Sequence, residues 1–267
     1  MNSSQAGQHN DEHPTPETAQ CAHHSAAHAT LEKLHKGVDF LYGILIAMSL
    51  EKVIEGVMHA SSSTWFVDPT HPHTEEAAVV LHAPAALMYW RTLIFLIMVA
   101  RFYLGSIRYF DKTYKSHALD LKGFQPRFFA DFLIGLIHFL LFFPLSLAVT
   151  VPPGRISFFS CFKFSSFAIM LMVILMYDTF WLAARWMITR QRSEEWKVLD
   201  EDAFEQIQRW SLRNFVTTLW IVGLLVLAGV IWPVCPGWAE SIALIPLFIA
   251  SLQDFSEVIG VRRFFAP

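Results

Sequence analysis

In the run FLYGILIAMSLEKVIEGVMH, residues 40–59, Glu51, Lys52 and Glu55 stand where a membrane span would otherwise stay apolar. Glu51, Glu55 and His59 follow i, i+4 spacing, so they share one helix face, and Ile44 and Met48 continue that stripe toward the N-terminus. Aligned carboxylates of this kind can concentrate cations. A second group of ionisable residues interrupts other apolar runs: Arg91, Arg101, Asp131, Asp178 and Asp254, with His138 inside LIGLIHFLLFF. A charge at the centre of a bilayer costs about 2.5–3.5 kcal/mol on insertion scales, so such groups pair with one another or face water. They could serve as ion pairs that fix helix packing or as a coupling layer for ions. His138 is solitary, which suits a packed histidine and not a membrane haem, where paired histidines are needed.

Composition dictates the elements that must position these groups. The chain has 267 residues, of which 54% are hydrophobic and only 16% charged, with 24 Phe and 9 Trp. Its mean hydropathy is +0.39, too apolar for most soluble domains. The net charge of -3 and the absence of a basic stripe exclude nucleic acid as a partner. The apolar runs are long and apolar all round, unlike the alternating strands of a barrel, so the expected fold class is all-α, with the lipid bilayer as solvent. Spans are expected at roughly 37–58, 86–107, 128–150, 164–186, 214–233 and 239–260, each about 20 residues long. Counting inward at about 1.5 Å per residue, Glu51 and Arg91 lie within ~9 Å of one boundary, and Arg101, Asp131, Asp178 and Asp254 lie ~4–12 Å from the other.

Basic residues set the expected orientation. Arg108, Lys112, Lys115, Lys122 and Arg127 follow the second span, Arg190, Arg192, Lys197, Arg209 and Arg213 the fourth, and Arg262 and Arg263 the sixth. The opposite connections hold only Arg155 and Lys163. By the positive-inside rule both termini are cytoplasmic. Residues 1–34 read as a disordered, histidine-containing cytoplasmic tail without the apolar core of a signal peptide. Its histidines with Cys21, and the HPHTEE stretch at 71–76, are loose metal-binding patterns for which a solvated segment is the plainer reading. Residues 193–212 read as an amphipathic helix on the inner surface, with Trp196, Leu199, Phe204, Ile207 and Trp210 toward the headgroups. Cys161 and Cys235 both fall on the outer side, where a disulfide and two free thiols are the alternatives. Chain length, scarce cysteine and the lack of a cleavable signal suit a bacterial plasma membrane.

Soluble-enzyme motifs are absent: no GxGxxG with a following acid, P-loop, GxSxG or HExxH occurs, so neither an enzyme nor a cofactor is expected. The segment KGVDFLYGILIAMSLEKV, residues 36–53, resembles the first helix of the endolysosomal and bacterial potassium channel family marked by R-x-x-x-F-S-D and a following Gly. Lys36 falls at the Arg position, Phe40 at the Phe and Gly43 at the Gly, while Leu41 replaces Ser and Tyr42 replaces Asp. The resemblance implies a homo-oligomer, tetrameric as in the bacterial members, whose first helices line a pore for monovalent cations. It also implies a constriction at Ile44, Met48 and Leu45, with Glu51 and Glu55 forming an acidic outer mouth. Two other readings stay open. One is a proton- or ion-coupled transporter using Arg101, Asp131, Asp178 and Asp254, although no internal repeat or Gly/Pro-broken helix pair in matching halves is evident. The other is a non-conducting anchor or interaction subunit presenting its tail and the 189–213 loop.

Overall fold

A backbone in hydrocarbon must satisfy its own hydrogen bonds, and apolar runs of this length do so as helices. The computed structural model describes residues 16–65, 85–114, 124–151, 156–159, 162–190, 194–231 and 236–258. The helices are α1 (Pro16–Trp65), α2 (Ala85–Thr113), α3 (Phe124–Leu140), α4 (Phe142–Ala148), α5 (Ser166–Arg190), α6 (Glu194–Ile231), α7 (Pro236–Ala243) and α8 (Ile245–Val258). Between α4 and α5 lies a two-stranded antiparallel hairpin, β1 (Ile156–Phe159) and β2 (Phe162–Phe164), which pairs Ile156 with Phe164 and Ser157 with Lys163. The fold is therefore all-α apart from one small hairpin in a connection, which the sequence reading did not anticipate.

Among the described residues four helical paths are long and apolar enough to cross a membrane: Ala85–Phe110, Arg127–Ala148, Ser166–Ile188 and Gln208–Leu227. The apolar part of α1 carries Asp39, Glu51, Lys52 and Glu55, and the path through α7 and α8 is interrupted at Leu244, so neither offers an unbroken apolar crossing.

The break at Leu244 and a second one, at Leu141 between α3 and α4, have a covalent cause. Proline lacks an N–H and crowds the carbonyl four residues before it. Pro144 accordingly divides α3 from α4 at Leu141, whose N–H is shared between the carbonyls of Ile137 and His138 at 3.2 and 3.1 Å. Pro246 divides α7 from α8 at Leu244, although Leu244 still donates to the Glu240 carbonyl at 3.1 Å. These two prolines break the third and sixth apolar paths, a pairing that the sequence reading overlooked.

Two further expectations are corrected. α1 begins at Pro16, so residues 16–34, expected to be disordered, are helical. Pro suits a helix's first turn, where its missing N–H would be unpaired anyway. The amphipathic segment at 193–212 and the fifth span form one helix, α6, of 38 residues, and Trp210, expected at the headgroups, is buried. Its indole occupies the space that a glycine leaves: a Cβ on Gly105 would lie 2.0 Å from Trp210 Cη2.

In the packed bundle α5 runs along α6, α2 meets α8 and α6, and α1 lies against α2, α3 and α4. α1 buries Val38, Tyr42, Ser49, Val53 and Ala60, a stripe with the three-to-four-residue spacing of one helix face. Tyr42 is fully buried, stacked on Phe132 and tilted against Phe139, and a Cβ on Gly135 would lie 2.0 Å from its hydroxyl. The core beneath is aromatic, with Phe95, Phe102, Phe139 and Phe142 among its members.

Candidate functional site

Arg91 and Arg101 lie ten residues apart on α2, hence ~15 Å along its axis, and each organises a buried polar layer. In the first layer Arg91 Nε and Nη2 donate to the two oxygens of Glu240 on α7, at 2.7 and 2.8 Å. Arg91 Nη1 donates to the carbonyls of Val149 and Val151 at 3.1 and 2.5 Å, and to that of Ala148 at 3.4 Å. Those carbonyls end α4, where Ala148 also accepts from the Val151 N–H at 3.3 Å, so the guanidinium adds donors to a helix end as well as closing an ion pair. The guanidinium carbon lies 5.4 Å from the centroid of the Phe167 ring. Both charged side chains are essentially inaccessible, at 0% and 1% exposure.

The second layer draws on five helices. Arg101 Nε donates to Asp254 of α8 at 2.5 Å, and Nη2 donates to Asn214 Oδ1 of α6 at 2.7 Å. Asn214 passes the contact on, donating to Asp178 of α5 at 2.5 Å. Arg213 donates to the other oxygen of Asp254. His138 of α3 reaches the same Asp178, its Nδ1 3.6 Å from Oδ1, a separation longer than a direct hydrogen bond. Its ring lies among Phe102, Phe142 and Tyr177. Unlike Arg91, this layer is incompletely paired: His138 Nε2 and Arg101 Nη1 are buried without a hydrogen-bond partner.

Asp131 stands apart from Arg101. It accepts hydrogen bonds from Tyr109 at 2.7 Å and from Tyr114, and pairs with Arg185 at 3.2 Å. Arg185 Nε also donates to the Tyr109 hydroxyl at 2.8 Å, and Arg127 stacks over the Tyr114 ring. Burial first, then Tyr109 and Asp131, holds the Tyr114 phenol well above its ordinary range, so it remains a donor to the carboxylate. Arg185 and Asp254 are both buried. Between the Asp131 cluster and the His138–Asp178 pair lies a cavity of about 50 Å³, bounded also by Ser106, Tyr109 and Trp210.

The α1 residues face differently. Ile44, Met48, Glu51 and Glu55 are exposed on the side away from the bundle, while Leu45 packs against the core. Glu55 pairs with Lys52 at 2.6 Å on the surface. Tyr42, at the position where the potassium channel family has Asp, points into the bundle interior.

Sequence reasoning thus found Arg91, Arg101, Asp131, His138, Asp178 and Asp254, but it missed Glu240 and Asn214. Glu240 opens an apolar run, ESIALIPLFIA, at the depth of Arg91, which was the available signal. It set Glu51 level with Arg91, but the carboxylate on Arg91 is that of Glu240. Cys161, Cys235 and the 71–76 stretch lie outside the described residues, as do the side chains of the tail histidines. Among the described residues no group of His, Cys, Asp or Glu could hold a metal ion. No family model, curated protein or solved structure matches the chain.

Proposed function

We propose that this chain is the protomer of an oligomeric cation channel, in which copies of α1 surround the pore. The observation that carries the reading is the outward face of α1, where Glu51 and Glu55 continue an exposed stripe through Met48 and Ile44. A carboxylate facing lipid is costly, and a water-filled pore between copies removes that cost. Ile44 and Met48 form the constriction and Glu51 the acidic mouth, which concentrates monovalent cations such as potassium. Leu45, turned toward the bundle, takes no part in lining it.

In this reading α1 and the α7–α8 path cross the bilayer together with the four apolar paths, giving six spans with both termini in the cytoplasm. The basic residues of the even-numbered connections support that orientation. A bacterial plasma membrane and a tetramer follow from the same reading. The test is side-chain accessibility: in a protein with Cys21, Cys161 and Cys235 replaced by Ser, Met48→Cys is expected to make cation flux sensitive to a water-soluble thiol reagent. Flux indifferent to the reagent removes Met48 from the pore.

A coupled transporter is the second reading, favoured by the partly unpaired layer around Arg101 and by the two proline-broken paths. In the six-span topology, however, Pro144 and Pro246 lie toward the same side of the membrane. An inverted repeat would place its two breaks on opposite sides. The channel reading is therefore preferred, and saturable uptake that requires a proton gradient would reverse the preference.

A further inference from the structure

The cavity of about 50 Å³ lies within one chain, among residues of α2, α3, α5 and α6. A buried water needs about 10–15 Å³ of accessible space and two to four polar partners. The space is thus large enough for a few waters, and its wall is polar where it matters. Asp131 and Tyr109 lie on one side, Asp178 and His138 on the other, and Ser106 between them along α2. His138 Nε2 is buried with no hydrogen-bond partner, and His138 Nδ1 stands 3.6 Å from Asp178. His138 and Asp178, 5% and 6% exposed, both line this space, so a water in it meets the pair while Nε2 itself stays enclosed.

We propose that this cavity is a water-filled proton-binding chamber, in which the His138–Asp178 pair takes up one proton from water. The proton arrives on a hydronium ion, which leaves as water, and is held as an N–H on the imidazole or an O–H on the carboxyl. The two microstates belong to one coupled titration of the pair. The surrounding groups couple that charge to the rest of the bundle. Arg101 of α2 and Asn214 of α6 connect Asp178 to Asp254 of α8 and to Arg213 of α6. Across the cavity stand Asp131 of α3, Tyr109 and Tyr114 beside α2, Arg185 of α5, and Arg127 over the Tyr114 ring. Protonation of the pair thus places a new positive charge beside Arg101 and weakens the layer that joins α2 to α5, α6 and α8. The proposal goes beyond the channel reading and needs no second copy of the chain.

Ile137–His138 is the one Ile–His step in the sequence, so carbonyl-labelled isoleucine with nitrogen-labelled histidine selects His138 in the full-length protein. Solid-state NMR in lipid bilayers then reads water contact and protonation directly. The expected result is rapid magnetisation transfer from water to the His138 ring, with one step in its ring-nitrogen shifts between pH 5 and 8. Asp178→Asn is expected to move the midpoint of that step by about one pH unit or more. A ring without water contact, or a pair in which both the His138 ring-nitrogen shifts and the Asp178 carboxyl-carbon shift stay constant over that range, overturns the proposal. The wild-type titration decides by itself where Asp178→Asn does not fold.

Discussion

The Arg91 and Arg101 layers start from buried arginines of the same helix and differ in completeness. Arg91 distributes its donors over one bidentate carboxylate and the carbonyls that end α4. Arg101 and its partners share one another's oxygens through a chain that leaves Arg101 Nη1 and His138 Nε2 unpaired beside a cavity. A closed set of contacts has one stable arrangement, which is the property of a clasp. An open set has room for water and for more than one protonation state, which is the property of a responsive site. Burial of the two arginines does not separate the layers, whereas hydrogen-bond completeness does.

The sharpest way to break the comparison is to remove half of the clasp. Arg91→Leu removes the donors on the Glu240 carboxylate and on the Val149 and Val151 carbonyls, and losing one member of a buried pair costs about 3–5 kcal/mol. The expected outcome is loss of the folded, monodisperse protein in detergent, read by size-exclusion chromatography. Arg91→Met combined with Glu240→Leu is expected to recover much of that loss, because no uncompensated charge remains and Ala148 O keeps the Val151 N–H. Gly105→Ala comes next: its Cβ would overlap the Trp210 indole, and overpacking of this kind costs about 1–3 kcal/mol. A lowered thermal midpoint checks it, and Gly135→Ala against Tyr42 is expected to behave alike.

In the open layer the same measurement should report less. Asp178→Asn keeps an oxygen for the Asn214 amide, so the expected change in stability is about 1 kcal/mol or less. A collapse comparable to that of Arg91→Leu would show that both layers are clasps. Smallest of all is Lys52→Gln, which removes an exposed contact to Glu55 and is expected to leave the thermal midpoint unchanged.

The legible part of the fold was that which hydrophobic runs encode. Helical character and the apolar paths through α2, α5 and α6 follow from uninterrupted stretches of Leu, Ile, Phe and Val. The charged residues of the interior stood out for the same reason, since each interrupts such a run. Their pairing was not legible, because it depends on which helix faces meet: Asp131 and Asp254 sit at similar depths, yet Arg101 takes the second and Arg185 the first. Glu240 and Asn214 were missed because they lie at the ends of apolar runs, where a polar residue looks interfacial. The helical tail was missed because histidines and polar residues masked a regular start at Pro16, followed by Ala19, Ala22, Ala26, Ala27 and a Glu32–Lys36 pair at i, i+4. The proline breaks were legible in principle, at Pro144 and Pro246, and show how strongly one missing N–H divides an otherwise apolar path.

The outward face of α1 carries the functional account, and potassium flux through the purified protein in liposomes tests it most directly. At low ionic strength an acidic mouth concentrates cations most strongly, since screening is weakest there. The account expects potassium to pass, and Glu51→Gln to lower the flux several-fold at low salt and much less at high salt. Vesicles that stay tight to potassium, sodium and protons alike, or a flux that Glu51→Gln leaves unchanged at low salt, would contradict it.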